Sequence, residues 1–280
     1  MCIISFGIDF FAKNTLRLLL KLPIYKEIIV MKWGSFGPVH LASLAFAAAM
    51  IIGLYFFLRR SSRRVQTLVL GVLSFSGIAA IVFNLVTWGS PLEYLPLHLC
   101  SLNALVLPIA VFTRSKTLGN LLLAWCLGAL AALVVNMAQA EYEIFSLTFA
   151  FYFFPHVLEF GIPILLFKLG LIEMHPKYIL STLVITMTVY TGIHFFNVWL
   201  NAYCEANQIL DWAGNVIRVN YMYSITPENP LLVLFKQVIP YDYWYMYMIV
   251  PILAVYLSIV YLPGTRQRII RKRRAAIANA

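Results

Sequence analysis

Val39-His40-Leu41-Ala42-Ser43-Leu44-Ala45-Phe46-Ala47-Ala48-Ala49-Met50-Ile51-Ile52-Gly53-Leu54-Tyr55-Phe56-Phe57-Leu58 runs directly into Arg59-Arg60-Ser61-Ser62-Arg63-Arg64. The first run holds no Asp, Glu, Lys or Arg. As a helix it is about 30 Å long, which is the depth of a bilayer's hydrocarbon core. The arginines that end it mark a return to water. The same alternation repeats along the chain and predicts further spans at 66–88, 96–113, 117–138, 147–169, 178–200 and 243–262. The sequence therefore predicts an all-α polytopic membrane helix bundle of about seven transmembrane helices.

Composition agrees. Of 280 residues, 62% are hydrophobic and 11% charged, with a mean hydropathy of +0.84. A water-soluble domain carries roughly 25% charged residues. The net charge of +10, from 21 Lys and Arg against 11 Asp and Glu, is spread over short runs between apolar stretches. That pattern belongs to membrane loops and not to nucleic-acid binding. Cys2, Cys100, Cys126 and Cys204 form no CxxC pair and no zinc spacing.

The basic loops alternate. Arg59–Arg64, Arg114 with Lys116, Lys168 with Lys177, and the tail from Arg266 to Arg274 all fall on one side, which the positive-inside bias assigns to the cytoplasm. Residues 89–95, 139–146 and 201–242 fall on the other. The expected organisation is an N-terminal extension over 1–32, amphipathic or not native; a membrane domain over 33–263 with an extracytoplasmic cap at 201–242; and a basic cytoplasmic tail over 264–280. A bacterial inner membrane is the expected location.

Ionisable groups inside spans are costly, at least about 2.5–3.5 kcal/mol at the centre, and point to function. His98, Cys100, Asn103, Asn120, Asn136, His156, Glu159, His194 and Asn197 all fall in predicted spans. The third and fifth spans enter from the same side, which puts Cys100 about 8 Å deep and His156 about 10–15 Å deep. A thiol in lipid is inert, and an imidazole that takes its proton makes it a nucleophile. Glu159, three residues after His156, shares its helical face and is placed to orient the ring. Contact within about 4 Å between the sulfur and the ring is expected of such a pair. His98 faces elsewhere and suits substrate contact or a structural bond. The plain alternative stays open: cysteine as packing, histidine as a hydrogen-bonded structural group, and polar side chains satisfying carbonyls freed by Pro155 and Pro163.

Three stretches resemble the YwaF family of bacterial membrane proteins, related to the vertebrate acyltransferase transmembrane protein 164. They are Gly34-Ser35-Phe36-Gly37-Pro38-Val39-His40-Leu41; the P-x-H-x-C run in Leu95-Pro96-Leu97-His98-Leu99-Cys100-Ser101; and Asn220-Tyr221-Met222-Tyr223 with Pro227 and Pro230. The resemblance covers roughly residues 33–262 and implies a seven-helix fold. From the vertebrate relative it implies a Cys–His acyltransferase that moves fatty acyl chains between phospholipids, with Cys100 and His156 at the matching positions. Related hydrolases of fatty-acid esters carry Thr in place of the cysteine.

The expected activity is acyl transfer or ester hydrolysis on membrane lipids, phospholipid or lysophospholipid, through a thioester. Cys100 and His156 are the catalytic pair, Glu159 and His98 support them, and Asn103, Asn136, His194, Asn197, Asn220 and Tyr221 contact substrate. No metal, nucleotide or nucleic acid is called for. A transporter, with Asn136, Glu159 and His194 on a polar path, and a non-catalytic scaffold are the rival readings.

Overall fold

The computed structural model describes residues 31–135, 139–211 and 213–262. The helices are α1 Pro38–Leu58, α2 Arg63–Ser74, α3 Ser76–Thr87, α4 Leu99–Thr113, α5 Lys116–Val134, α6 Leu147–Lys168, α7 Tyr178–Ala206 and α8 Pro230–Val238, followed by α9 over Trp244–Leu262, which opens as a 3-10 turn. Among the described residues, six units are long and apolar enough to cross a membrane: α1, α2 with α3 (Arg63–Thr87), α5, α6, α7 and α9; α4 is a shorter apolar helix. The polytopic helical bundle expected from the sequence is the fold observed.

Local chemistry sets the boundaries. Pro38 opens α1 at a position where its missing N–H is not needed. Ser62, Ser115 and Ser146 cap α2, α5 and α6 by accepting from Val65, Leu118 and Phe149 backbone N–H groups. The span expected over 66–88 breaks at Phe75, where its N–H turns back to the Val72 carbonyl at 3.2 Å and Ser74 Oγ donates to Gly71 O at 2.6 Å. These short-range bonds tighten the turn and re-aim α3.

Two other boundaries differ from expectation. The third span was expected from 96 but its helix starts at Leu99, with His98 as the extended residue before it (φ −74°, ψ 155°). Pro96 is the cause: Leu97 N–H bonds the Leu95 carbonyl at 2.7 Å around it, a tight turn that a helix cannot absorb. The fourth span, expected to 138, is helical to Val134. Buried His40 donates from Nε2 to the Leu133 carbonyl at 2.8 Å, satisfying the last turn of α5, while its Nδ1 accepts from Phe36 N–H at 2.9 Å. Residues 1–30, 136–138, 212 and 263–280 lie outside the described residues, so most of the extension, the whole tail and Asn136 carry no structural account.

The bundle is built around α6. It touches α1, α2, α3, α4 and α5, and 67% of its span is buried against 11% for α1. Lipid gives helices no hydrophobic reason to associate, so close approach at small residues does the work. A β-carbon at Gly71 would meet the Phe112 ring at 2.3 Å, one at Gly119 the Ile172 side chain at 2.6 Å, and one at Gly161 the Ile51 side chain at 2.7 Å.

The basic loops gather at one end. Arg114 donates to Thr67 Oγ1 at 2.7 Å, tying the α4–α5 corner to α2. Lys116 pairs with Glu173 at 2.9 Å, bringing in the α6–α7 loop. At the opposite end, residues 32–34 pair with 140–143: Trp33 and Gly34 N–H groups donate to Tyr142 and Ala140 carbonyls, both at 2.8 Å. The chain from 207 to 243 packs over that same end. It includes a 3-10 turn at Tyr221–Tyr223 and α8.

Candidate functional site

Three helices meet at Gly77. A β-carbon there would stand 2.5 Å from Ala104 Cβ of α4 and 2.7 Å from Glu159 Oε1 of α6, so only glycine lets α3 close on both. Both α4 and α6 run from the end remote from the arginines toward Arg59–Arg64. Cys100 stands four residues before Ala104, and His156 three before Glu159. At 1.5 Å per residue they rise about 6 Å and about 4.5 Å above the Gly77 crossing. The thiol and the imidazole are thus at nearly one depth.

A cavity of about 150 Å³ opens there. α3 lines it with Gly77, Ile81 and Asn84, and Trp88 just past its end; α4 with Cys100 and Ser101; α6 with Thr148, Tyr152, His156 and Glu159; Tyr94 and Tyr142 stand among its other walls. The α3 and α6 faces are held together by the stacked rings of Phe83 and Phe151, 4.4 Å apart.

Cys100 is a free, half-buried thiol at the second position of α4. A helix of 15 residues is about 8 Å shorter than a bilayer core, and non-helical chain over 94–98 precedes it. Such backbone is tolerated at depth where it is buried in protein or lines a cavity. The first-turn N–H groups of Leu99, Cys100 and Ser101 have no acceptor four residues back in the helix, and the His98 side chain does not cap them. They point partial positive charge toward the sulfur's end of the helix.

His156 is fixed by its own helix. Its Nδ1 lies 2.6 Å from the Tyr152 carbonyl. A carbonyl only accepts, so Nδ1 carries the proton and Nε2 carries the lone pair. The Tyr152 ring packs at 4.4 Å from the imidazole, and its hydroxyl donates to the Ala132 carbonyl at 2.8 Å. Among the described residues no hydrogen bond joins the Cys100 sulfur to the ring. The two groups share the cavity wall, and catalytic hydrogen bonds commonly tighten only when substrate is bound.

Glu159 lies beneath the pair, 4% exposed, with Oε2 lacking a hydrogen-bond partner. Its backbone is engaged instead. Pro163 has no N–H for the Glu159 carbonyl, and Asn103 Nδ2 donates to that oxygen at 3.3 Å. Asn103 is therefore fully buried in a helix-to-helix bond and does not line the cavity.

The other residues expected to contact substrate lie in the packing of the 207–243 segment. Asn197 Nδ2 donates to the Tyr221 carbonyl at 2.8 Å and to Ser224 Oγ at 2.9 Å. His194 Nδ1 lies 3.1 Å from the same hydroxyl. Asn220 holds its own turn through the Thr226 carbonyl at 2.8 Å. Tyr221 donates its hydroxyl to the Leu92 carbonyl. The His98 ring sits between Tyr221 and Tyr223, at 5.3 and 5.5 Å. The segment thus presses on the residue two before Cys100.

Asn84, Tyr94, Tyr142, Thr148 and Tyr152 line the cavity and were not picked out from the sequence. Asn84 stands in a predicted span, where a polar side chain is a usable signal. The tyrosines read as interfacial aromatics. Burial raises the phenols of Tyr94 and Tyr142 above the ordinary range, so both remain neutral hydroxyl donors near the cavity.

The fold and this cavity define an integral membrane protein with a thiol, an imidazole and a carboxyl gathered at one depth inside a helical bundle. A family model described as the TMEM164 family matches residues 35–261, and the chain belongs to that family. No curated protein and no solved structure matches it.

Proposed function

We propose that this chain is a membrane-embedded lipid acyltransferase or ester hydrolase that works through Cys100 and His156. The observation that carries the reading is the pairing of a free thiol with an Nε2-basic imidazole at one depth, on one cavity. The family resemblance supports it, because it implies a Cys–His acyltransferase of phospholipid acyl chains.

In this reading His156 Nε2 takes the thiol proton and the sulfur attacks a lipid ester carbonyl. The carbon–sulfur bond forms as the carbonyl electrons move to oxygen. Collapse breaks the ester C–O bond, and the leaving alkoxide takes the proton from His156. A lysolipid hydroxyl or water then attacks the thioester with His156 as base again, returning the thiol. Exclusion of water favours transfer over hydrolysis.

The test uses the purified protein in nanodiscs with a phospholipid bearing an alkyne-tagged acyl chain. Hydroxylamine-sensitive label on the Cys100 peptide is expected, and its loss in Cys100→Ala and His156→Ala. Full turnover by Cys100→Ala would sink the proposal.

A further inference from the structure

We propose that Asn84 is a catalytic residue: its side-chain amide hydrogen-bonds the oxyanion formed when Cys100 is acylated, a role that rests on the acyl-transfer reading above. Asn84 projects from α3 into the cavity that Cys100 and His156 share. Its amide makes no hydrogen bond among the described residues, unlike Asn103, Asn120, Asn197, Asn201 and Asn220, each of which holds a backbone carbonyl. A polar amide in a membrane span with no structural bond is costly, and its place on the cavity wall leaves it free to bond what enters there.

Its height suits that partner. Asn84 is seven residues above Gly77, about 10.5 Å, while Cys100 is about 6 Å above the same crossing. The Asn84 backbone therefore stands roughly 4.5 Å nearer the remote end than that of Cys100, on the side from which an ester would descend. The Phe83–Phe151 stack, one residue before Asn84, holds that part of α3 against α6 at 4.4 Å, so the amide is presented from a fixed element.

The Cys100 N–H supplies the second donor. It lies in the first turn of α4 without an intrahelical acceptor. One backbone donor on the nucleophile and one side-chain amide opposite it give the developing O⁻ two hydrogen bonds. Donors already placed where the charge develops are the arrangement that stabilises a transition state most. A ground-state thiol gains nothing from Asn84, because the negative charge it serves appears only on the carbonyl oxygen.

The experiment compares two reactions of the same sulfur. Acylation by p-nitrophenyl decanoate passes through an oxyanion; alkylation by iodoacetamide does not. Both are read by mass spectrometry of the Cys100 peptide from the full-length protein in nanodiscs. Asn84→Ala and Asn84→Asp are expected to slow acylation about 10²–10³-fold and to leave alkylation within about twofold of the unaltered chain. Acylation at the unaltered rate in both variants would overturn the proposal. So would an equal fall in acylation and alkylation, which would mean that Asn84 only shapes the site. If Cys100→Ala is still acylated in the cavity, the acyl-transfer reading itself fails, a result distinguishable from either of these.

Discussion

His156 gives its Nδ1 proton to the carbonyl of Tyr152, one turn back in α6, at 2.6 Å. A side chain bonded to its own helix needs no second helix to hold its tautomer. The basic nitrogen is fixed toward the cavity even if α3 or α4 shifts. Glu159, which the sequence offered as the orienting group, is not needed for this.

That arrangement separates two substitutions. His156→Ala removes the base and is expected to slow Cys100 acylation about 10²–10⁴-fold, with slower alkylation by iodoacetamide as well. Tyr152→Phe keeps the carbonyl and loses only the hydroxyl's bonds to the Ala132 carbonyl and Gln139 Oε1. Its expected effect is a stability loss of about 1 kcal/mol with acylation preserved. Equal loss of acylation in both variants would show that the phenol, and not the carbonyl, sets the ring.

The Asn103–Glu159 bond exists because of Pro163. Removing the amide leaves a buried carbonyl without a donor, a cost of about 1–3 kcal/mol. Pro163→Ala restores a backbone N–H to the helix. Asn103→Ala should therefore cost less in a Pro163→Ala background than alone, a coupling readable by thermal unfolding in detergent. Strict additivity would refute the link.

How much of this could be read from residues alone divides by range. The spans were legible because twenty apolar residues with charged ends have one stable arrangement in a bilayer. The shared depth of Cys100 and His156 was legible from topology, since the third and fifth spans must enter from the same side. The break at Phe75 was not, because Gly71 and Ser74 signal a bend only through bonds a few residues long. The start at Leu99 was signalled by Pro96 but masked by the apolar Leu95, Leu97 and Leu99 around it. Asn84 and Asn197 look alike in sequence. One turns to a cavity and the other to the Tyr221 carbonyl, and only the rotation of each helix in the bundle decides between them.

Gly77 is the tightest point beneath the cavity. A methyl group there would overlap both Ala104 Cβ and Glu159 Oε1, and Ala104 cannot withdraw by rotating a side chain, since the Ala104 Cα itself would lie at 3.3 Å. Gly77→Ala should cost about 1–3 kcal/mol, the usual range for overpacking, and should push α3 away from α4 and α6. Cys100 alkylation by iodoacetamide is expected to rise as the cavity opens, while acylation falls. An unchanged melting temperature in detergent would contradict the close approach.

The segment 207–243 depends on one buried amide. Asn197 is fully buried and bonds the Tyr221 carbonyl and Ser224 Oγ, while its own Oδ1 accepts from Tyr221 N–H at 3.2 Å. Asn197→Leu fills similar volume but leaves the Tyr221 backbone unsatisfied, about 1–3 kcal/mol of local stability. The loss falls where Tyr221 and Tyr223 bracket His98, so the segment should open before the helices melt. Arg218 is exposed in the same segment, which makes trypsin cleavage after it a local probe. Cleavage should accelerate in Asn197→Leu about 5–100-fold, following the population of the open form, with little change in the global melting temperature. If cleavage after Arg218 is no faster than in the unaltered chain, Asn197 does not hold the segment down. If the whole bundle melts earlier by the same amount, the segment is not a separate unit but part of the helical core.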